Sequence, residues 1–393
     1  MKIITKPWND AEHFRINNFD AMRFFLAIMV IVSHAFVLTL GDDPLTMDTD
    51  DFEPLFQFSG GQITIGDLAV NSFFLVSGFL VTHSYLRSRG YGDYFLKRVR
   101  RIYPGFIVAI MVSLGVAWIA GGTAVFSAGN LTNSAGLALI LHPSQLFSAF
   151  PENPVPGVVN GSLWTIQYEF WCYILVAMGG LFALVQRRGL LLGFLVFFAT
   201  IACLQEVFKL YVGLGSFEVI LGVPIFWPRL LSYFFAGACF YLWRDRIPHN
   251  NQWAAFAVFV LGVSLFIPYA VYLTFPFALT YLVMWLSYHP KIRFDQFARH
   301  GDFSYGIYLY AFPVQQLLIY FHVANTPLSN ILLAVPLTIA CGALSWHFVE
   351  KPFLIRKKKA VAEVGEASDE FTVRTISVAL PTGRLHRSNP ARH

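Results

Sequence analysis

The sequence predicts an all-α polytopic membrane protein, a bundle of about ten transmembrane helices with both termini cytoplasmic. Three observations carry that expectation. Of the 393 residues, 56% are hydrophobic and only 13% are charged, about half the charged share of an average soluble domain. Mean hydropathy is +0.56. Ten apolar segments are long enough, or nearly so, to cross a bilayer. Lys and Arg crowd into alternate loops, which fixes orientation by position and not by the net charge of +5.

The segments fall at about 21–40, 68–86, 104–121, 163–185, 190–208, 229–243, 253–268, 270–288, 304–321 and 329–349. The sixth and seventh are short. Residues 211–228, with Gly213, Gly215, Pro224 and Pro228, read as a re-entrant or broken piece beside the sixth. Lys2, Lys6 and Arg15 precede the first segment. Arg87, Arg89, Lys97, Arg98, Arg100 and Arg101 lie between the second and third, Arg187 and Arg188 between the fourth and fifth, and Arg244 and Arg246 between the sixth and seventh. Lys291, Arg293 and Arg299 lie between the eighth and ninth, and Lys351 and Arg356 to Lys359 follow the tenth. Apart from Lys209 and Arg229, the other loops carry almost none, so they face outward.

This divides the chain into a cytoplasmic N-terminal segment, 1–18, a membrane domain, 19–356, and a polar, aperiodic tail, 357–393, expected to be disordered. The first apolar run has no small-residue cleavage site behind it and reads as an anchor, not a signal peptide. The outward loop 41–67 is acidic, with Asp42, Asp43, Asp48, Asp50, Asp51, Glu53 and Asp67; it reads as a solvated loop or a lid for an acceptor. The outward stretch 122–162, with Pro151, Pro154 and Pro156, is expected to pack over the bundle's outer mouth. Cys172, Cys203, Cys239 and Cys341 lie inside apolar segments and read as small buried residues. Neither they nor His83, His142, His289, His300, His322 and His347 have metal-ligand spacing, and no bound metal or cofactor is expected. The chain lacks a Walker-type loop or a paired-glycine fingerprint near its basic cluster, which argues against a nucleotide-hydrolysing engine. No nucleic-acid partner is expected.

The chemistry-bearing residues sit inside the apolar segments, where ionisable groups are costly and mark sites or pathways. Arg23 and His34 are eleven residues apart in the first segment, so they share one face about 16 Å apart. Arg23 also reads as a snorkelling anchor, and His34 as an interhelical hydrogen bond. Glu169 enters the fourth segment about six residues from its outer end, as His34 does from the end of the first. The two are therefore expected at one depth, a His–carboxylate pair suited to general-base chemistry. Lys97, Arg98, Arg100 and Arg101 put four bases into five residues. They anchor the chain at the cytoplasmic face or grip phosphates there. Ser77 beside Gly78 allows close approach of a helix or an extended ligand. Trp164 is placed to belong to the interface belt or to stack on a carbohydrate, and Tyr305 to pack or to line an access route. A transporter or flippase with a His34/Glu169 proton relay is the competing reading, although no internal repeat supports it.

Together these residues resemble the acyltransferase 3 family of integral membrane acyltransferases. The resemblance rests on Arg23 and His34, on Ser72 to Leu80, and on Arg98 and Arg101 leading into Ile102-Tyr103-Pro104. Ser162 to Phe170, Ser304 to Leu309 and His347 to Pro352 complete it, in the family's order across about 19–353. It implies ten helices, a cytoplasmic acyl-CoA donor, acetyl-CoA above all, and an outer-face acceptor in a bacterial inner membrane. The acceptor would be a hydroxyl of an envelope or exported polysaccharide or glycolipid, with a small molecule such as an antibiotic as the alternative. Some members carry an additional C-terminal hydrolase-like domain, which is not expected here. On that reading Arg98 and Arg101 hold CoA phosphates, the pantetheine arm passes Arg23, and His34, supported by Glu169, deprotonates the acceptor. An acyl-histidine intermediate is the less favoured variant.

Overall fold

The structure is a computed structural model that describes residues 17–41, 53–122, 135–142, 149–289, 291, 292, 294 and 297–354. The expectations for residues 1–16, for Asp42 to Asp51 and for the tail 357–393 lie outside the described residues.

Each of the ten apolar segments becomes a helix: α1 Phe19–Leu40, α2 Ile65–Leu86, α3 Tyr91–Gly121, α4 Trp164–Leu181, α5 Arg188–Phe208, α6 Phe226–Trp243, α7 Asn251–Ser264, α8 Ala270–Ser287, α9 Ser304–Tyr320 and α10 Pro327–Ser345. Seven of the helical stretches are long and apolar enough to cross a membrane. The chain is therefore a polytopic all-α membrane protein. Of the two segments expected to be short, α7 is so at 14 residues, whereas α6 reaches 18 and lies in a stretch long enough to span. Helix α9 is buried around most of its circumference, Gln315 and Gln316 included, which frees it from the need for an all-apolar surface. Outward-facing apolar side chains such as Met111, Trp118, Phe197, Phe259 and Leu332 are exposed around the bundle, as helices bordered by lipid require.

One boundary differs substantially from expectation. Helix α3 starts at Tyr91, not 104, and runs on through Pro104. The basic cluster is thus helical, not a loop. Lys and Arg are good helix formers, and Asp93 pairs with Lys97 one turn on, at 2.6 Å. The arginines are consequently displayed at fixed angular intervals.

Two glycine pairs bring helix backbones into direct contact. A Cβ on Gly78 would lie 1.9 Å from the Phe234 carbonyl oxygen, and one on Gly237 would lie 1.8 Å from that of Leu75. So α2 and α6 touch backbone to backbone, as small residues allow in membrane bundles. Gly306 and Gly342 do the same for α9 and α10, the Gly306 position lying 2.8 Å from the Gly342 Cα.

Polar side chains pin the ends. Asn18 donates to the carbonyls of Leu286 (3.1 Å) and Ile292 (2.7 Å) and accepts from the Phe294 N–H (2.7 Å), which fastens the start of α1 to the end of α8. At the opposite end the stretch 149–160 folds onto the bundle, as expected. Gln316 donates to the Val155 and Val158 carbonyls, and Asn160 to that of Leu309. Residues 210–225 form the broken piece expected, two short helical turns at Gly215–Phe217 and Glu218–Leu221. Gln167, Tyr168 and Trp171 of α4 donate to its carbonyls at Val219, Ile220 and Val223, which satisfies backbone that no helix or sheet satisfies. The two described acids of the 41–67 loop are structural. Glu53 is buried and accepts from the Phe56 and Ile65 N–H groups, and Asp67 pairs with Arg229.

The glycine contacts make a specific prediction. Gly237→Ala forces two backbones apart and is expected to destabilise the protein by roughly 1–3 kcal/mol or more. Gly262→Ala, where a Cβ meets nothing within 4 Å, is expected to leave stability unchanged. Thermal unfolding of the two variants in detergent measures the contrast.

Candidate functional site

The end of the bundle where α3 begins collects positive charge. Arg23 of α1 and Lys97, Arg98, Arg100 and Arg101 of α3 line a cavity of about 410 Å³, closed by Leu80, Phe353 and Leu354. That volume is in the range of small-molecule sites. Five cations and, among the described residues, no carboxylate line it. Sequence spacing predicts Arg98 and Arg101 as neighbours; the fold adds Arg23 from another helix.

Four of the five cations have side-chain partners, Lys97 in the Asp93 carboxylate already described. Arg98 donates to Ser84 Oγ at 3.2 Å and lies over the Tyr173 ring, 5.5 Å from its centroid. Arg101 donates to Asp302 Oδ2 at 2.7 Å, lies 3.5 Å from Glu350 Oε2 and covers the Tyr305 ring at 5.5 Å. Arg23 pairs with Asp20 and, at 3.3 Å, with Asp302. Burial pushes the Asp302 carboxyl up, but the Arg23 and Arg101 guanidiniums and the Ser304 donors outweigh it and hold it well below the usual carboxylate range. It is therefore ionised at any physiological pH. Asp302 and Glu350 were not singled out as site residues by sequence reasoning. The available signals were a carboxylate close to Lys291, Arg293 and Arg299, in a loop that also holds Asp295, and an acid in the closing motif.

The Glu350 position depends on local geometry. After α10 the chain makes a π turn over Trp346–Glu350 before continuing as helix. Such turns recur at functional sites. Glu350 is 2% exposed and accepts from Ser345 Oγ at 3.0 Å.

His34 lies on α1 on the far side of Arg23 from the cavity's end of the bundle, about 16 Å along the axis. Its ring packs edge-on against Phe312 at 5.3 Å. Its Nδ1 is buried without a hydrogen-bond partner among the described residues, and a buried unpaired nitrogen needs an explanation.

The structure does not place Glu169 beside His34. Glu169 Oε1 accepts from Tyr173 Oη at 2.6 Å and from Ser77 Oγ at 3.1 Å. The level of His34 is that of Phe312, whose ring abuts Gly161. Glu169 is eight residues beyond Gly161, roughly 12 Å along the chain axis toward the basic end. The expected depth match fails because the first turn of α4 is sunk beneath the 149–160 stretch, so counting from the helix start overstates its height.

The other predicted residues are tied to packing. Tyr305 donates to the Ile102 carbonyl at 2.9 Å, and its ring fills the space beside Gly105. Trp164 packs on Phe226 at 4.5 Å and Tyr168 at 5.5 Å, in an aromatic cluster away from the basic cavity. Ser77 serves Glu169 while its neighbour Gly78 meets α6.

Residues 16–347 match the acyltransferase domain of the acyltransferase 3 family. The chain therefore belongs to that family of membrane acyltransferases. It is 28% identical over 358 residues to an O-acetyl transferase of Shigella phage Sf6, covering 86% of this chain and 96% of that one. It is 29% identical over 382 residues to nodulation protein 10 of Rhizobium leguminosarum bv. viciae, covering 91% and 98%. A longer Bacillus subtilis (strain 168) protein, named provisionally for peptidoglycan O-acetylation, is 24% identical over 398 residues, covering 88% of this chain and 56% of its own length. No solved structure matches.

The Glu169 cluster yields a prediction. Tyr173→Phe removes the shorter of two donors to a carboxylate, a charged hydrogen bond of about 1.5–3 kcal/mol. A lower unfolding temperature is expected, with a smaller drop for Ser77→Ala; calorimetry in detergent gives the order.

Proposed function

We propose that the protein is an O-acetyltransferase of the bacterial inner membrane, moving an acetyl group from cytoplasmic acetyl-CoA to a hydroxyl of an envelope or exported polysaccharide or glycolipid. The observation that carries this reading is the five-cation cavity at one end of α1, with His34 further along the same helix. A phosphate-rich donor suits clustered guanidiniums, which bind phosphoryl oxygens in a bidentate manner. In this reading Arg23, Arg98 and Arg101 hold the CoA phosphates. The separation of about 16 Å between Arg23 and His34 is comparable to a stretched pantetheine arm.

His34 acts as general base. It takes the proton of the acceptor hydroxyl as that oxygen attacks the thioester carbonyl carbon. The C–S bond then breaks, and the CoA thiolate leaves with the proton held by His34. The unpartnered Nδ1 supports this role, since a structural histidine would have spent it on a hydrogen bond. Glu169 keeps its seat on Tyr173 and Ser77, without a direct bond to His34. The names of the Shigella phage and Bacillus relatives support O-acetylation and a glycan acceptor. The basic end faces the cytoplasm, as its Lys and Arg content favours.

His34→Ala is expected to abolish transfer while the folded protein is still recovered. The readout is isotope-labelled acetyl on envelope glycans, by mass spectrometry, in cells with and without the variant; full labelling by the variant would remove the assignment. Arg98→Ala combined with Arg101→Ala is expected to raise the KM for acetyl-CoA by about tenfold or more. Unchanged kinetics would return both residues to membrane anchoring.

A further inference from the structure

Resting on the acyl-CoA reading, we propose that Asp302 is the positioning residue that sets the phosphate-binding geometry of Arg23 and Arg101 without touching the donor. Its carboxylate stands behind the basic cavity, not in its lining. It faces instead a separate cavity of about 240 Å³, together with Asp20. One oxygen, Oδ2, bridges two helices, at 2.7 Å from Arg101 Nη2 of α3 and 3.3 Å from Arg23 Nη1 of α1. The other, Oδ1, accepts from the Ser304 hydroxyl at 2.5 Å and the Ser304 N–H at 3.3 Å, at the start of α9. Both oxygens are thus engaged, and the carboxylate is anchored to a third helix.

Two guanidiniums lining one cavity repel each other. A shared counter-ion allows them to sit side by side with donors still pointing into the cavity, since each guanidinium has five N–H donors and gives only part of them to Asp302. Arg23 has a second partner in Asp20, and Arg101 has one in Glu350. Loss of the Asp302 charge would therefore not expel either arginine. It would let each follow its other carboxylate, so the pair would no longer match one phosphate-bearing ligand. The expected consequence is weaker donor binding in a protein that still folds.

The test uses the full chain in nanodiscs, with CoA as probe, pantetheine as the phosphate-free control, and titration calorimetry as readout. The wild type should bind CoA far more tightly than pantetheine; equal binding would overturn the acyl-CoA reading itself, independently of Asp302. Asp302→Asn should weaken CoA binding by about tenfold, the scale of one charge-assisted contact, and Asp302→Glu, which keeps the charge, should recover most of it. If the Asn and Glu variants weaken CoA alike, or neither does, the residue serves packing alone and the proposal is overturned. Should Asp302→Asn not fold, Ser304→Ala decides, because it frees the carboxylate from α9 without changing charge. At least about threefold weaker CoA binding supports the proposal, and unchanged affinity overturns it.

Discussion

Like charges cannot be gathered at the end of an apolar bundle without counter-charges to hold them, and the basic end of this molecule is arranged around that constraint. Arg23, Lys97 and Arg101 each meet at least one carboxylate, and Arg98 meets a hydroxyl and an aromatic face. The carboxylates come from four places: Asp20 on α1, Asp93 on α3, Asp302 ahead of α9 and Glu350 after α10. Burying one member of such a set without its partner is strongly destabilising. The ion pairs thus tie α1, α3, α9 and α10 together at the same end at which they organise a binding surface.

The apolar middle is organised differently. There the helices approach through glycine, and the α2–α6 contact leaves no room for a side chain on Gly78 or Gly237. This rigid pair carries Ser77 toward α4, where Glu169 and Tyr173 complete a polar cluster. The packing thus determines which face of α2 is available for polar work.

Much of this was legible in the sequence. Hydropathy located all ten helices, since an apolar run of that length has few other folds. The Arg98 and Arg101 cluster was recognisable because four bases in five residues exceed what orientation requires. Two features were not legible. The extension of α3 through its basic residues escaped a reading that equated charge with loop. The partner of Glu169 was misjudged because depth counted along one helix does not say how far that helix is sunk, which the hydrogen bonds of Gln316 and Asn160 to other segments decide. Asp302 and Glu350 act as counter-ions across 201 residues of chain or more, and nothing in their local sequence names the arginine they meet.

The π turn at the end of α10 has a consequence for how this chain can vary. A π turn holds one residue more than the α-helical turn it replaces, so Trp346–Glu350 absorbs that residue with little change in the direction the chain then takes. A chain one residue shorter at this turn closes to an ordinary α turn and still delivers Phe353 and Leu354 to the wall of the basic cavity. In the regular helix before it, where each residue turns the chain by about 100°, the same loss would swing both away. Homologues are therefore expected to tolerate a one-residue gap at this turn more readily than within α10.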